Sequence, residues 1–226
     1  MPQDIITVIG SLNMDLVTTT PRVPSGGETL TASSFSTGPG GKGANQAVAC
    51  ARLSQHKPPA ISNSKVRVQM IGAVGSDEFG PRLISDLEKD GIDTSGIKVM
   101  DGQTTGVAVI ILEELSGENR ILLSPGANHS LQSEDFSDVK SLGIERPELV
   151  ILQLEIQLKT VFSVINTAKE ANIPVLLNPA PAVELPDDIL KDVDHLILNE
   201  SEAAILSGRD SASFERTEVD WGLITD

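Results

Sequence analysis

Gly38-Pro39-Gly40-Gly41-Lys42-Gly43-Ala44-Asn45-Gln46-Ala47 is the stretch on which the reading of this chain turns. Its glycines let a backbone fold tightly and come close to a ligand. The alanine-rich Ala44–Leu53 that follows reads as a helix beginning at the glycines. A helix N-terminus offers free N–H groups, and Lys42 and Asn45 add donors, so a small polar ligand such as a sugar suits the place. The plain alternative is a tight turn that merely starts a helix. The letters also match G-x-G-x-x-G, but a dinucleotide site needs that motif directly after the first strand and an acidic residue about twenty positions on. Here the first strand, Ile5–Ile9, stops at Gly10, and no such acid follows. A Walker A loop fails as well, because Lys42 precedes Gly43 and Ser36 stands where its first glycine is required.

Working outward, Ile5-Ile6-Thr7-Val8-Ile9 is a β-branched run of the kind that is buried on both faces in a parallel sheet. Asn13 and Asp15, two apart just beyond it, point the same way at the carboxyl end of a strand, where α/β proteins bind ligands, a capped turn being the plain alternative. Leu16 to Ser36 is rich in Thr, Ser, Gly and Pro with alternating apolar positions, as in Thr29–Phe35, and predicts exposed antiparallel strands. Gln55–Lys65 reads as an exposed loop insertion. Strands are expected at Val66–Val74, Leu149–Leu152, Val175–Leu177 and Leu196–Leu198, and a second antiparallel pair at Gly106–Leu112 and Arg120–Leu123. Helices are expected from an Asp77 cap through Leu87 to Gly91, near Ser133–Ser141, at Lys159–Ala171 and at Ser201–Leu206. Repeated β-α units of this kind predict a three-layer α/β fold. Gly208 to Asp226 holds no convincing strand–helix unit, although Trp221–Thr225 has the texture of a strand start.

Composition narrows the function classes. The chain has 226 residues, 17 Lys+Arg against 32 Asp+Glu, and a net charge of −15, which repels phosphate backbones and anionic lipid. Nucleic acid and membrane are therefore not expected as partners. The one cysteine, Cys50, excludes an intrachain disulfide framework, and His56, His129 and His195 lie too far apart in sequence to propose a zinc site. Met1-Pro2-Gln3-Asp4 lacks the basic start of a signal peptide and no apolar run is long enough to span a bilayer, so a cytoplasmic location is expected. Cys50, Met14, Met70 and Met100 are read as packing residues.

Several motifs agree in order: Gly10-Ser11-Leu12-Asn13-Met14-Asp15, Gly26-Gly27-Glu28-Thr29, Gly40–Ala47, Gly72–Gly80, Thr105-Gly106-Val107-Ala108, Gly126-Ala127-Asn128, Gln153-Leu154-Glu155, Leu177–Ala182 and Leu198–Ala203. Together they resemble the ribokinase family of sugar kinases, over residues 5 to about 208. The resemblance implies a ribokinase-like three-layer domain over 1–226 with a small β-sheet lid from about 16–36 and 104–123 that also pairs two subunits. It implies phosphorylation of the 5-hydroxyl of D-ribose by MgATP, giving ribose 5-phosphate, with K+ as a monovalent activator. It places Asn13, Asp15, Gly41, Lys42, Asn45 and Glu155 around the sugar, and Asn199 and Glu202 as an Asn-x-x-Glu pair that arranges magnesium and phosphate. An ordinary helix N-cap is the plain alternative for that last pair. The family's catalytic base lies in an Asp-Thr-x-Gly-Ala-Gly-Asp stretch that these 226 residues do not contain. The fold is therefore expected to be C-terminally incomplete and the chain inactive alone. The alternatives are a kinase for another small sugar or nucleoside, or a non-catalytic sugar-binding or regulatory short form.

Overall fold

The computed structural model describes residues 4–54 and 66–209; the expected loop at Gln55–Lys65 and the Trp221–Thr225 strand start lie outside them. Strand β1 (Asp4–Ile9) is followed by β2 (Asn13–Thr20), β3 (Ser34–Gly40), helix α1 (Lys42–Ser54), β4 (Val66–Gly75), α2 (Phe79–Lys89), β5 (Asp93–Met100), β6 (Gly106–Glu113) and β7 (Asn119–Ser124). Three short 3-10 helices (Gly126–Ser130, Ser133–Phe136, Val139–Leu142) lead into β8 (Leu149–Leu152), α3 (Leu158–Glu170), β9 (Val175–Leu177), α4 (Asp187–Leu190), β10 (His195–Leu196) and α5 (Glu200–Ser207).

Six strands form a parallel sheet in the order β10-β9-β8-β1-β4-β5. Successive side chains on a strand face opposite sides, and the core divides accordingly. Val8, Met70, Val74 and Ile151 pack with Ala44, Ala47 and Ala51 of α1 and Leu83 and Leu87 of α2. Ile9, Ile71, Val150, Leu152 and Leu177 pack on the other side with Val161, Val164 and Ile165 of α3. The sandwich of helices around a buried sheet is the expected three-layer architecture. The order reverses at β1: the chain builds β4 and β5 on one side and returns for β8, β9 and β10 on the other. The crevice at the carboxyl ends of β1 and β8 is thus a topological switch point, where open α/β sheets bind ligands.

The second sheet, β3-β2-β6-β7, stands over that crevice. Both expected antiparallel pairs are present, and a parallel pairing of β2 with β6 joins them. Register puts Asn13, Asp15, Val17, Ala108, Ile110, Ile121 and Leu123 on one face, and Phe35, Leu16, Val109 and Leu122 on the other.

Three expectations need correction, and one strand is new. The helix near Ser133–Ser141 is two short 3-10 turns, because the Asp138 carboxylate accepts from Lys140 N at 2.7 Å and the Gln132–Asp135 capping box closes the first turn locally. The alternating Thr29–Ser33 segment is not strand; β3 begins at Ser34. The strand expected at Leu196–Leu198 is His195–Leu196. Strand β5 was not foreseen: an edge strand with Gly96 and a bulge against β4 shows neither alternation nor an apolar run.

Candidate functional site

Four passages of chain cross between the two sheets: Gly10–Leu12, Gly40–Gly41, Asp101–Thr105 and Pro125–Asn128. Glycines make the crossings possible. Gly41 has φ +91, and a side chain there would meet Asn13 N at 2.7 Å and Ser11 O at 2.8 Å. At Gly43 a Cβ would meet Gly10 C and Ser11 N, both at 2.7 Å, so α1 starts in direct backbone contact with the end of β1.

Glu155, just past β8, gathers that junction. Its Oε2 accepts from Ser11 Oγ at 2.6 Å, from Lys42 N at 3.1 Å and from Asn13 Nδ2 at 3.4 Å. The Ser11 hydroxyl in turn accepts from Gly43 N at 3.3 Å. The carboxylate therefore sits at the positive end of α1, held by donors from two crossings. Asp15, on the same sheet face as Asn13, lies over Gly40, whose missing side chain leaves room for the carboxylate. Burial first, and then the charge of Glu155, raise the Asp15 pKa above its ordinary 3.8. No hydrogen bond among the described residues reaches the Asp15 carboxylate, which leaves it free to accept from a ligand.

Lys42 contributes its backbone N–H, and no ion pair among the described residues engages its half-buried ammonium. Asn45 is exposed on the first turns of α1 and lines a groove of about 490 Å³ between α1 and α2, with Val48, Leu83 and Leu87. It is not hydrogen-bonded to the Glu155 cluster. The structure thus brings Asn13, Asp15, Gly41, Lys42 and Glu155 together and leaves Asn45 outside the Glu155 hydrogen bonds.

Asn199 and Glu202 lie at the carboxyl end of β10, three strands from β1 and so roughly 15 Å across the sheet. They form a reciprocal capping box at the start of α5. Asn199 Oδ1 accepts from Glu202 N at 2.8 Å, and Glu202 Oε2 accepts from Asn199 N at 3.0 Å. Among the described residues no group of three His, Cys, Asp or Glu side chains is placed to hold a metal ion, and no helix is long and apolar enough to cross a membrane.

Residues missed as site members are Ser11, Asn128 and the Asp77–Thr105 pair. Asp77 accepts from Phe79 N and Gly80 N at 3.2 Å, and so caps α2 as expected. It also accepts from Thr105 Oγ1 at 2.6 Å and Thr105 N at 2.7 Å, tying β4 to the third crossing. Burial works to raise its pKa, but those four hydrogen bonds hold it below 3.8. Gly126-Ala127-Asn128 was a visible motif; its partner, Leu12, is 116 residues away and no local signal joins them.

The family profile of the pfkB family carbohydrate kinase matches residues 3–220. A ribokinase of Schizosaccharomyces pombe is 47% identical over 203 residues, 89% of this chain and 61% of that protein. A deoxyribokinase of Salmonella typhimurium is 41% identical over 225 residues, 96% of this chain and 69% of that protein. The solved ribokinase of Giardia lamblia superposes with a TM-score of 0.76 at 33% identity, over 92% of this chain and 62% of the other. The ribokinase of Arabidopsis thaliana, solved with ribose and ATP, gives 0.75 at 28% identity, over 92% and 64%. The chain thus spans 61% to 69% of the length of these two curated relatives.

Proposed function

The chain belongs to the pfkB family of carbohydrate kinases, and from that premise we propose that it carries the sugar half of a cytoplasmic ATP-dependent D-ribose kinase. The observation that carries the reading is the Glu155 junction at the switch point, with Asp15 unsatisfied beside it. Carboxylates accept from sugar hydroxyls, and the Asn13 amide, the Lys42 ammonium and the Asn45 amide donate to them. Gly41 keeps the loop close enough for contact. In the complete reaction the 5-hydroxyl oxygen attacks the γ-phosphorus, the bond to the bridging oxygen of ADP breaks, and the hydroxyl proton passes to a base. ATP supplies the phosphoryl group.

Asn199 and Glu202 are the groups of this chain assigned to the phosphate and magnesium side. Both already satisfy each other, and one carboxylate does not make a metal site. Magnesium and K+ are accordingly assigned to the complete protein. The base-bearing stretch is absent from these 226 residues, and the chain alone is accordingly assigned no turnover. The four-stranded sheet acts as the lid, and its exposed apolar side chains, with Phe35 as the anchor, pair with a second copy. Sedimentation at micromolar concentration yielding only monomers would remove the dimer.

A second reading has a specific observation behind it: a relative named deoxyribokinase matches nearly the whole chain. Calorimetric titration with D-ribose, 2-deoxy-D-ribose, D-fructose and adenosine separates the cases. The proposal expects ribose to bind tightest; tighter binding of deoxyribose or adenosine transfers the assignment, and no sugar binding removes it.

A further inference from the structure

We infer that Asn128 is a positioning residue that fixes which way the Asn13 amide faces, so that the sugar site is presented with an NH2 donor at that position. The inference rests on the sugar-site reading for its functional meaning, while its geometry stands by itself.

The backbone of Leu12 has a fixed polarity. Leu12 N donates to Asn128 Oδ1 at 2.9 Å, and Leu12 O accepts from Asn128 Nδ2 at 3.0 Å. A peptide N–H can only donate and a C=O only accept, so the two bonds settle the orientation of the Asn128 amide. The same Nδ2 also donates to Asn13 at 2.8 Å, which requires the atom there to be Oδ1. The Asn13 Nδ2 is thereby turned to Glu155, 3.4 Å from Oε2. Its protons are shared between that carboxylate and a ligand hydroxyl that must accept.

The neighbourhood enforces the arrangement. Asn128 is 1% and Asn13 2% exposed, so both amides depend chiefly on these protein partners. A side chain at Gly106 would run into both Asn128 Nδ2 and Asn13 Oδ1, so that glycine reserves the space for the bond. Asn128 belongs to the fourth crossing and Leu12 and Asn13 to the first. The relay Leu12–Asn128–Asn13–Glu155 therefore sets the donor and acceptor map of the crevice as well as its shape.

Two measurements test it. In the ligand-free wild-type chain, through-hydrogen-bond NMR coupling should run from Asn128 Nδ2 to Asn13 Cγ; coupling from Asn13 Nδ2 to Asn128 Cγ, or none, overturns the inference whether or not sugar binds. In Asn128→Asp the carboxylate cannot donate, so Asn13 Oδ1 loses its donor and the Asn13 amide loses its fixed orientation toward the sugar. Ribose affinity should fall about tenfold, the loss of a buried polar bond, while one monodeoxy-ribose, lacking the hydroxyl that faces Asn13, should lose far less. A uniform loss across ribose and its 2-deoxy and 3-deoxy analogues, or no loss, identifies a merely structural residue and overturns the inference. A wild-type chain that binds no sugar but shows the expected coupling removes the sugar reading and leaves the positioning intact.

Discussion

The crevice between β1 and β8 and the end of β10 each hold an asparagine and a carboxylate in hydrogen-bond contact, yet they are built in opposite ways. At the crevice the partners are far apart in sequence: Glu155 takes donors from Ser11, Asn13 and Lys42, 144, 142 and 113 residues away. Such geometry exists only because the fold imposes it. Asn199 and Glu202 are three residues apart, and any helix start would hold them that way. Helix α5 buries no residue, and Leu196, Ile197 and Ile205 remain 42%, 57% and 44% exposed. The first pair is evidence for a site; the second by itself is evidence for a helix cap.

Turnover provides the largest way to break this contrast. A positioned base contributes roughly 10²–10⁴-fold and one anion-hole donor about 10²–10³, so residues 1–226 with ribose and MgATP should release ADP at least ~10⁴ below a complete family enzyme. Normal turnover in a coupled assay would mean that the β10 half is a finished site.

Backbone strain gives the next effect. Gly41→Ala places a side chain at φ +91 against the backbone of Ser11 and Asn13, and should cost on the order of 3 kcal/mol in urea unfolding. Gly208→Ala has a comparable φ of +65 at the end of α5 but open space around it, and should cost about 1 kcal/mol at most, lost locally. Equal costs would erase the distinction between the two regions.

A smaller effect separates two carboxylates by pH. The folded-state pKa of Asp15 is raised, so its ionisation costs stability: that cost appears as pH rises through 3.8 and beyond, and persists at neutral pH. Asp77 has a depressed pKa, so its contribution is present above 3.8 and lost as pH falls through its folded value. Asp15→Asn should therefore gain on wild type between pH 3 and pH 7, and Asp77→Asn should lose ground over the same range. Parallel trends in urea midpoints would contradict the assignments.

The apolar runs of β1, β4, β8 and β9 and the periodicity of α3 announce buried elements, and they form as expected. Strand β5 is polar because it lies at an edge, and Asp138 diverts 133–141 from a helix by a side-chain bond that periodicity does not register. In the crevice, the spacing of Asn13, Asp15 and Lys42 was informative because those residues flank a strand end and a helix start. Glu155 came only through family resemblance, and Ser11 and Asn128 were hidden because their partners are more than a hundred residues away.

Calorimetric titration of ribose into the wild-type chain and Glu155→Gln tests the central claim most directly. Three protein donors converge on this carboxylate, the proposed ribose contact adds a further one, and a bond to a charged group contributes about 1.5–3 kcal/mol. The wild type should bind one ribose per chain saturably, and Glu155→Gln should weaken that binding at least about tenfold with the fold retained. Equal affinity of the two proteins would show that ribose binds somewhere other than the junction of β1, β8 and α1.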